Sequence, residues 1–239
     1  MLYLAKGGTM EKAATALGIS RPRSVVYINE TLDVLSAMAK SMISMPPAEE
    51  LAAVEDGFYA TAGFPDTIGA VDGTLVRIAR PQDFEGWYCR KNIPAINVQA
   101  IVDHRGLFRS ISIQSGSNND QSLWNGSGVK KRISSYVPPG KHLLVNASYK
   151  IWGHMLTPFP EADAMQGPRK RRYNKAHSRT RIVVECAFGR LKNRSRVFLG
   201  KLEQRTIRCY KMRLLKSVRI QSRESKRFVT NKVLQNAMT

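Results

Sequence analysis

The chain has 239 residues, 43% of them hydrophobic, and a formal net charge of +20, so it can bury the core of one sizeable domain and a smaller one. No stretch of about 18 apolar residues occurs and the N-terminus lacks a signal-peptide run, so we expect neither a membrane span nor secretion. The three cysteines form no CxxC pair and are expected to be reduced thiols.

The positive charge is concentrated in the C-terminal third. Residues 166–239 contain 22 Lys and Arg against three Glu, whereas the first 165 residues hold 16 basic and 15 acidic side chains. This asymmetry predicts a polyanionic partner, and DNA is the partner that we expect. The alternative is a basic tail with only general affinity for polyanions. A membrane is disfavoured because the basic segment lacks a broad aromatic-rich apolar face.

The N-terminal segment has the pattern of two short helices. Apolar residues recur at helical spacing over 10–17 and 21–37, and Gly18, Ile19 and Ser20 form a turn between them. This is typical of a helix-turn-helix unit, although plain helical hairpins share the pattern. In a DNA-binding unit, the major-groove contacts would come from the start of the second helix, from Arg21, Arg23 and Tyr27.

Beyond a connector with Pro and Gly, in which a short helix is predicted at 49–60, the periodicity changes to that of strands. Strands are predicted at 68–79 (with a break at Asp72-Gly73), 95–102, 107–114 and 142–145. The second and third are joined by a hairpin turn at 103–106, a helix begins at Asp120, and a basic loop at 166–175 precedes a final helix. This order of elements predicts an α/β sheet.

Glu185 is the only acid between Tyr173 and Val197, a segment rich in Arg and Lys. Apolar Ile182, Val183, Ala187 and Leu191, with Cys186 and Gly189, give that segment a predicted helical face. Glu185 can be read as an arginine-paired surface glutamate. It can also be read as a metal-binding carboxylate, and that interpretation requires acidic partners elsewhere in the chain.

Five blocks of the sequence, in order, resemble Harbinger/PIF-type transposases and their domesticated derivatives, the DDE superfamily endonucleases. They are AVDGT (70–74), YCRKNIPAINVQAIVDHRGLF (88–108), GSNNDQSLW (116–124), LLVNASYKIWGHMLTPF (143–159) and YNKAHSRTRIVVECAFGRLKNRSRV (173–197). The resemblance covers about residues 68–202. It implies a ribonuclease-H-like mixed sheet flanked by helices, preceded by the helix-turn-helix-like segment.

On this basis we expect four regions: a helix-turn-helix-like segment (1–45), a connector (46–66), the endonuclease domain (67–202) and a basic tail (203–239). Past Leu202 the family's final helix is not recognisable, so we expect a truncated or decaying copy. The resemblance also makes possible a separate Myb-like DNA-binding partner protein. The cluster PRKRR (168–172) resembles a nuclear-import signal, which predicts the nucleus, with the cytoplasm as a second location.

The resemblance places the catalytic, metal-binding triad at Asp72, Asn146 and Glu185. Such a triad holds two Mg²⁺ or Mn²⁺ ions about 4 Å apart, which activate water for phosphodiester cleavage and stabilise the leaving oxygen. The family carries an aspartate at the second position, whereas Asn146 offers a carbonyl oxygen and no charge. Losing that anion removes several kcal/mol of attraction at an effective dielectric of about 20. We therefore expect an impaired, weakly metal-binding endonuclease. The alternative is a non-catalytic DNA-binding protein derived from a transposase.

Other polar residues have weaker predicted roles. Asp120 matches a family aspartate near the site and could partly replace the missing charge, or it could simply cap the following helix. Phosphate contacts are predicted for Arg90, Lys91, Arg179 and Arg181, with ordinary solvated cations as the alternative.

Overall fold

The computed structural model describes residues 9–37, 43–79 and 85–202. The predicted basic tail, 203–239, lies outside the described residues. The chain divides into two compact units, one made of residues 1–43, 76–85 and 189–239 and the other of residues 44–75 and 86–188. Within the described ranges, no helix combines the length and the apolar character needed to cross a membrane.

The first unit contains two consecutive helices, as the sequence predicts: α1 (Met10–Leu17) and α2 (Arg21–Ala37). Thr9 caps α1, because its hydroxyl accepts the backbone N–H of Lys12 at 3.3 Å. Gly18 ends α1 in the left-handed conformation, with φ of 63°, which glycine adopts without steric cost. The buried hydroxyl of Ser24 donates to the carbonyl of Met10 at 3.3 Å and so ties α2 to the start of α1.

The second unit is built on a five-stranded mixed sheet. Its strands are β1 (Thr67–Arg77), β2 (Ala95–Val102), β3 (Phe108–Ser115), β4 (His142–Leu144) and β5 (Met155–Leu156), in the spatial order β3-β2-β1-β4-β5. β2 and β3 are antiparallel, and β4 is parallel to both β1 and β5. The predicted α/β, ribonuclease-H-like mixed sheet is confirmed. β1 continues through Asp72 and Gly73, so the predicted break is wrong, and β5 is too short to have had a sequence signal.

Five helices accompany the sheet: α3 (Ala48–Ala62), α4 (Asp120–Asn125), α5 (Ile133–Tyr136), α6 (Glu161–Gln166) and α7 (Pro168–Arg194). α7 begins at Pro168, so the basic loop predicted at 166–175 is wrong. Proline is favoured in the first turn of a helix, where its missing N–H has no partner to lose. The early part of α7 is also held by packing, because Phe64 contacts the rings of Tyr173 and His177, at centroid distances of 5.3 and 5.9 Å.

The buried face of α7 matches the predicted one only in part. Ile182 is 52% exposed and Cys186 is exposed, although both were assigned to the apolar face. Of the predicted residues, Ala187 and Leu191 are buried; the other buried side chains of α7 within the second unit are His177, Thr180, Val184 and Phe188. Two of these residues, His177 and Thr180, are polar. The hydroxyl of Thr180 donates a hydrogen bond to the carbonyl of Ala176 at 2.9 Å, so it is not left without a partner.

The β2–β3 turn is fixed by the fully buried carboxylate of Asp103. It accepts the backbone N–H groups of Arg105 and Leu107 at 3.0 and 2.9 Å, and the Nε of Arg109 at 3.0 Å. Nη2 of Arg109 also pairs with Oε2 of Glu50 in α3, at 2.9 Å. Asp103 is therefore a turn residue, as predicted, and its charge is compensated where it is buried.

Stability should fall as the pH drops from about 7 to 5, because the folded chain buries neutral histidines. Burial lowers the pKa of His142 and of His177, so their contribution is complete above the unfolded value of about 6.5 and is lost below it. Each unit of lowered pKa corresponds to about 1.4 kcal/mol. Denaturant unfolding followed by circular dichroism should show a smaller pH dependence for His142→Gln than for the wild type. His154→Gln, which leaves the contacts of His142 intact, is the control; an unchanged slope in His142→Gln would contradict the assignment.

Candidate functional site

Asp72 is the centre of a hydrogen-bonded polar cluster at the β1–β4 edge. Its Oδ1 accepts the backbone N–H of Gly73 at 2.9 Å and the Nδ2 of Asn146 at 3.1 Å, and its Oδ2 accepts Nη1 of Arg181 at 3.0 Å. The side chain is only 16% exposed. Burial raises the pKa of Asp72, and the adjacent Arg181 guanidinium opposes that rise.

Strand register brings Asn146 to Asp72. β1 and β4 are parallel, with Ala70 opposite Leu144. Asp72 lies two residues after Ala70, and Asn146 lies two residues after Leu144. The amide oxygen of Asn146 accepts the backbone N–H of Ser148 at 2.9 Å and also contacts the Ser148 hydroxyl. The amide group thus has partners on both sides, and its nitrogen rather than its oxygen faces Asp72.

Glu185 joins the cluster through Arg181, one turn earlier on α7. The Arg181 guanidinium donates Nη2 to Oε1 of Glu185 while Nη1 binds Asp72, so it bridges the two carboxylates. The Glu185 side chain is 50% exposed, whereas that of Arg181 is 16% exposed. α7 is held in this position by His177, whose Nε2 lies 3.0 Å from the Leu156 carbonyl. The arginine-paired interpretation of Glu185 therefore agrees with this structure, while the metal-binding interpretation stays a prediction.

Asp120 lies close to Gly73, the residue that follows Asp72. Its Oδ2 accepts the Ser148 hydroxyl at 3.0 Å, and its Oδ1 is 3.4 Å from Nδ2 of Asn97. A β-carbon at position 73 would lie 2.6 Å from Oδ1 of Asp120, so glycine at this position allows the close approach. The reading of Asp120 as the helix cap is wrong, because Asn119 caps α4 by accepting the N–H of Ser122 at 2.8 Å.

Four residues of this cluster have no predicted role: Asn97, Gln99, Ser148 and Tyr149. Gln99 donates to the carbonyl of Asp120 at 3.1 Å and to the hydroxyl of Tyr149 at 2.7 Å. Burial raises the pKa of Tyr149, and the charge of Asp120 adds to that effect. The sequence does contain one sign of this cluster. Two amide side chains, Asn97 and Gln99, occupy alternate positions of β2, a strand that is buried along its whole length, where a polar side chain needs a hydrogen-bond partner.

The residues predicted to contact DNA fall into three groups. Arg90, Lys91 and Arg179 are exposed in the second unit, as a phosphate contact requires. Arg21, Arg23 and Tyr27 are exposed at the start of α2, within the first unit. Arg181 is different, because it is largely buried and its guanidinium is engaged by Asp72 and Glu185. Its position therefore does not match the predicted role as a phosphate contact.

The cluster as arranged does not fit a two-metal centre. Two carboxylates at the predicted ligand positions share one guanidinium, and the third position offers an amide that faces Asp72 through nitrogen. In the part of the chain that the structure describes, no group of three or more His, Cys, Asp or Glu side chains could hold a metal ion. Magnesium prefers several oxygen ligands in near-ideal octahedral geometry, and two already paired carboxylates are a poor donor set.

Replacing Arg181 should make the cluster a better cation site. Arg181→Gln removes the charge that compensates Asp72 and Glu185, and near-surface charges about 4 Å apart interact by about 4 kcal/mol, so Mn²⁺ should bind at least about tenfold more tightly. Isothermal titration calorimetry, or the electron paramagnetic resonance signal of free Mn²⁺, measures this affinity and does not require enzymatic activity. Arg179→Gln changes the net charge equally from an exposed position and should have little effect. Equal Mn²⁺ affinities for Arg181→Gln and the wild type would contradict the competition.

Comparisons with known proteins bear on this cluster. A family model described as "DDE superfamily endonuclease" matches residues 71–219. "Putative nuclease HARBI1" of Rattus norvegicus is 29% identical over 188 residues, which cover 77% of this chain and 52% of the relative. The proteins of the same name from Homo sapiens and Xenopus laevis are 28% and 25% identical over 203 and 201 residues, in each case 83% of this chain and 57% of the relative.

The chain spans about half the length of the curated relatives that it matches. No solved structure matches it. The family match includes Asp72, Asn146 and Glu185 and extends over well over half of the chain. The chain therefore belongs to the DDE superfamily endonucleases, in the transposase-derived group that contains the HARBI1 nucleases.

Proposed function

We propose that this protein binds DNA through basic surfaces on a nuclease scaffold, and that its metal-dependent cleavage of phosphodiesters is impaired. The observation that carries the proposal is Asn146, a neutral amide at the second acidic position of the family, hydrogen-bonded to Asp72 at 3.1 Å. The family relation supplies the scaffold and a nucleic-acid substrate class. DNA rather than another polyanion is the proposed partner because the relatives are named "putative nuclease" and the sequence blocks resemble transposases, which act on DNA.

The charges at the cluster support weak metal binding. Asp72 and Glu185 contribute two negative charges, and Arg181 cancels one of them within hydrogen-bonding distance. A divalent ion would have to replace the guanidinium of Arg181, which is largely buried and already paired with both Asp72 and Glu185. When a family member holds its metals, they supply Lewis acidity to the attacking water and the leaving oxygen. In this chain the residues that remain can orient DNA near Asp72 but offer few free oxygens to a cation.

An active endonuclease is the second candidate, and one observation favours it. Asp120 lies beside Asp72, against Gly73, and could contribute a further carboxylate. In this structure the side chain of Asp120 is engaged by Ser148 and Asn97 instead. Cleavage that depends on Asp120 as strongly as on Asp72 would identify this second function.

The wider biological setting is also a proposal. The exposed Arg171 and Arg172, in the first turns of α7, are compatible with recognition of the 168–172 cluster by the nuclear-import machinery. We therefore propose a nuclear location. The separate Myb-like partner is proposed from the family resemblance alone.

Asn146→Asp should restore activity that the natural chain lacks. The added carboxylate raises the negative charge at the cluster, so Mg²⁺ or Mn²⁺ should bind more tightly, and nicking of supercoiled plasmid should increase by at least about tenfold. The purified wild type, assayed beside it, should cut feebly or not at all. Asp72→Ala combined with Asn146→Asp is the control for contaminating nucleases. Robust cleavage by the wild type that Asp72→Ala abolishes would show instead that the enzyme is active with Asn146.

DNA binding should depend steeply on salt. Phosphate contacts release counterions, so the logarithm of the association constant for duplex DNA should fall linearly with the logarithm of salt concentration, by about 0.9 for each contact. Removing residues 203–239, which carry ten Lys and Arg against two Glu, should make this slope shallower. Fluorescence anisotropy at several salt concentrations measures it. A slope near zero, or one that the truncation leaves unchanged, would exclude the tail as a DNA-binding element.

A further inference from the structure

Within the nearly neutral first two thirds of the chain, one segment has basic side chains but no acidic ones. Residues 121–160 contain no Asp or Glu but five basic side chains: Lys130, Lys131, Arg132, Lys141 and Lys150. Lys141 is compensated, because its Nζ pairs with Glu55 at 2.6 Å and Asp66 at 2.9 Å. None of the other four forms an ion pair with a carboxylate in the described ranges 9–37, 43–79 and 85–202. These four cations are available to an anionic ligand.

An exposed aromatic ring accompanies these cations. Trp152 is 52% exposed and its neighbour Ile151 is 68% exposed, whereas Trp87 and Trp124 are 6% and 3% exposed. Nζ of Lys130 lies 5.1 Å from the centroid of the Trp152 ring, a cation–π contact between the two segments. We call Lys130, Lys131, Arg132, Lys150 and Trp152 the basic-aromatic surface.

The basic-aromatic surface is connected directly to the Asp72 cluster. Ser148, whose hydroxyl contacts Asn146 and Asp120, is only four residues before Trp152, so at most about 14 Å of extended chain separates them. The segment between them is anchored, because the backbone N–H of Lys150 donates to Oε1 of Gln121 in α4 at 2.7 Å. Lys130 is anchored to the same helix, with Nζ 2.5 Å from Oδ1 of Asn125. A polynucleotide with one phosphate near Asp72 can therefore reach Trp152 within a few nucleotides.

We propose that the basic-aromatic surface binds an unpaired DNA strand, with one base stacked on Trp152 and its backbone phosphates on the neighbouring cations. An exposed indole can stack on any base but only when that base is out of the duplex, and such stacking is insensitive to sequence. Duplex DNA would use the cations alone. An anionic membrane would also suit an exposed tryptophan beside lysines, but the surface adjoins the polar cluster of a nuclease family member, which favours nucleic acid. The inference rests on the proposed DNA-binding function and assigns a strand type and a residue to it.

Trp152 provides its own optical signal, because it is the only exposed tryptophan of the three in the chain. Titration of the full-length protein with oligothymidylate should quench its fluorescence, and Trp152→Leu should abolish most of the quenching. The same substitution should lower the affinity for oligothymidylate about 5- to 100-fold, the range expected for one stacked base, and leave duplex affinity within about twofold. Trp152→Phe keeps a ring and should retain most of the single-strand affinity.

Matched variants separate stacking from charge and from folding. Ile151→Ala removes an equally exposed apolar side chain without a ring and should leave both affinities unchanged. Lys130→Gln should weaken both strand types and make the salt slope shallower by about one phosphate contact. The side chain of Trp152 can be changed without removing its backbone hydrogen bonds to Met155, at 3.2 and 3.0 Å, and circular dichroism checks that the fold is kept.

Four results would overturn the inference. Equal loss of single-strand and duplex affinity in Trp152→Leu would reduce the surface to a general cationic patch. Quenching by vesicles of anionic phospholipid but not by oligothymidylate would identify a membrane surface instead. Duplex binding by the wild type without any quenching by single strands would leave the proposed DNA-binding function standing and remove this site. If the wild type binds neither form of DNA, the proposed function fails together with the inference.

Discussion

The guanidinium of Arg181 connects two carboxylates that belong to different parts of the fold, Asp72 on the first strand and Glu185 on the last long helix. Two partly buried carboxylates so close together repel each other, and a cation between them removes that repulsion. A planar guanidinium suits the position because it can donate to both carboxylates at once, which a lysine ammonium does with less geometric specificity. The rest of the cluster depends on this bridge, since it fixes where α7 places Glu185 relative to β1.

The bridge also explains why residue types that suit metal binding do not by themselves amount to a metal centre. A two-metal site needs carboxylate oxygens that point into shared space, and here Asp72 uses both oxygens for hydrogen bonds inside the protein. Asn146 adds a donor where an acceptor would be needed. The chain therefore shares its scaffold with the family, whereas the chemistry at the cluster depends on two local features, the guanidinium of Arg181 and the amide of Asn146.

Much of this arrangement could be predicted from the sequence. The order of strands follows from alternating and buried apolar runs, and the hairpin turn follows from a short Asp- and Gly-containing stretch at 103–106. The family resemblance implies that Asp72 and Asn146 belong to one site, and the register of β1 and β4 explains their proximity, because parallel neighbouring strands place residues after matching positions side by side. Such arguments succeed where backbone geometry alone determines the contact.

The details that escaped prediction depend on side-chain pairing instead. Apolar residues lie on several sides of α7, so periodicity could not tell which side would be buried, and the buried stripe includes His177, whose ring nitrogen lies 3.0 Å from the Leu156 carbonyl. The capping role of Asn119 rather than Asp120 is another case, since both residues are good caps and only the contact of Asp120 with Ser148 distinguishes them. The dual pairing of Arg181 is a third, because a pattern of charges on one helix does not reveal a partner on a strand 109 positions away.

The charges of the chain are thus divided between two roles. Arg181 neutralises acids within the polar cluster, whereas Lys130, Lys131, Arg132 and Lys150 are not paired with carboxylates of the described residues. A group that is already paired contributes little to binding a polyanion, because the new contact must break the old one, whereas solvated cations release counterions at once. Affinity for DNA therefore need not decline together with cleavage. Under the proposed function, an amide in place of the family's carboxylate at position 146 would weaken metal binding while every exposed cation keeps its charge, so the same scaffold would still bind DNA.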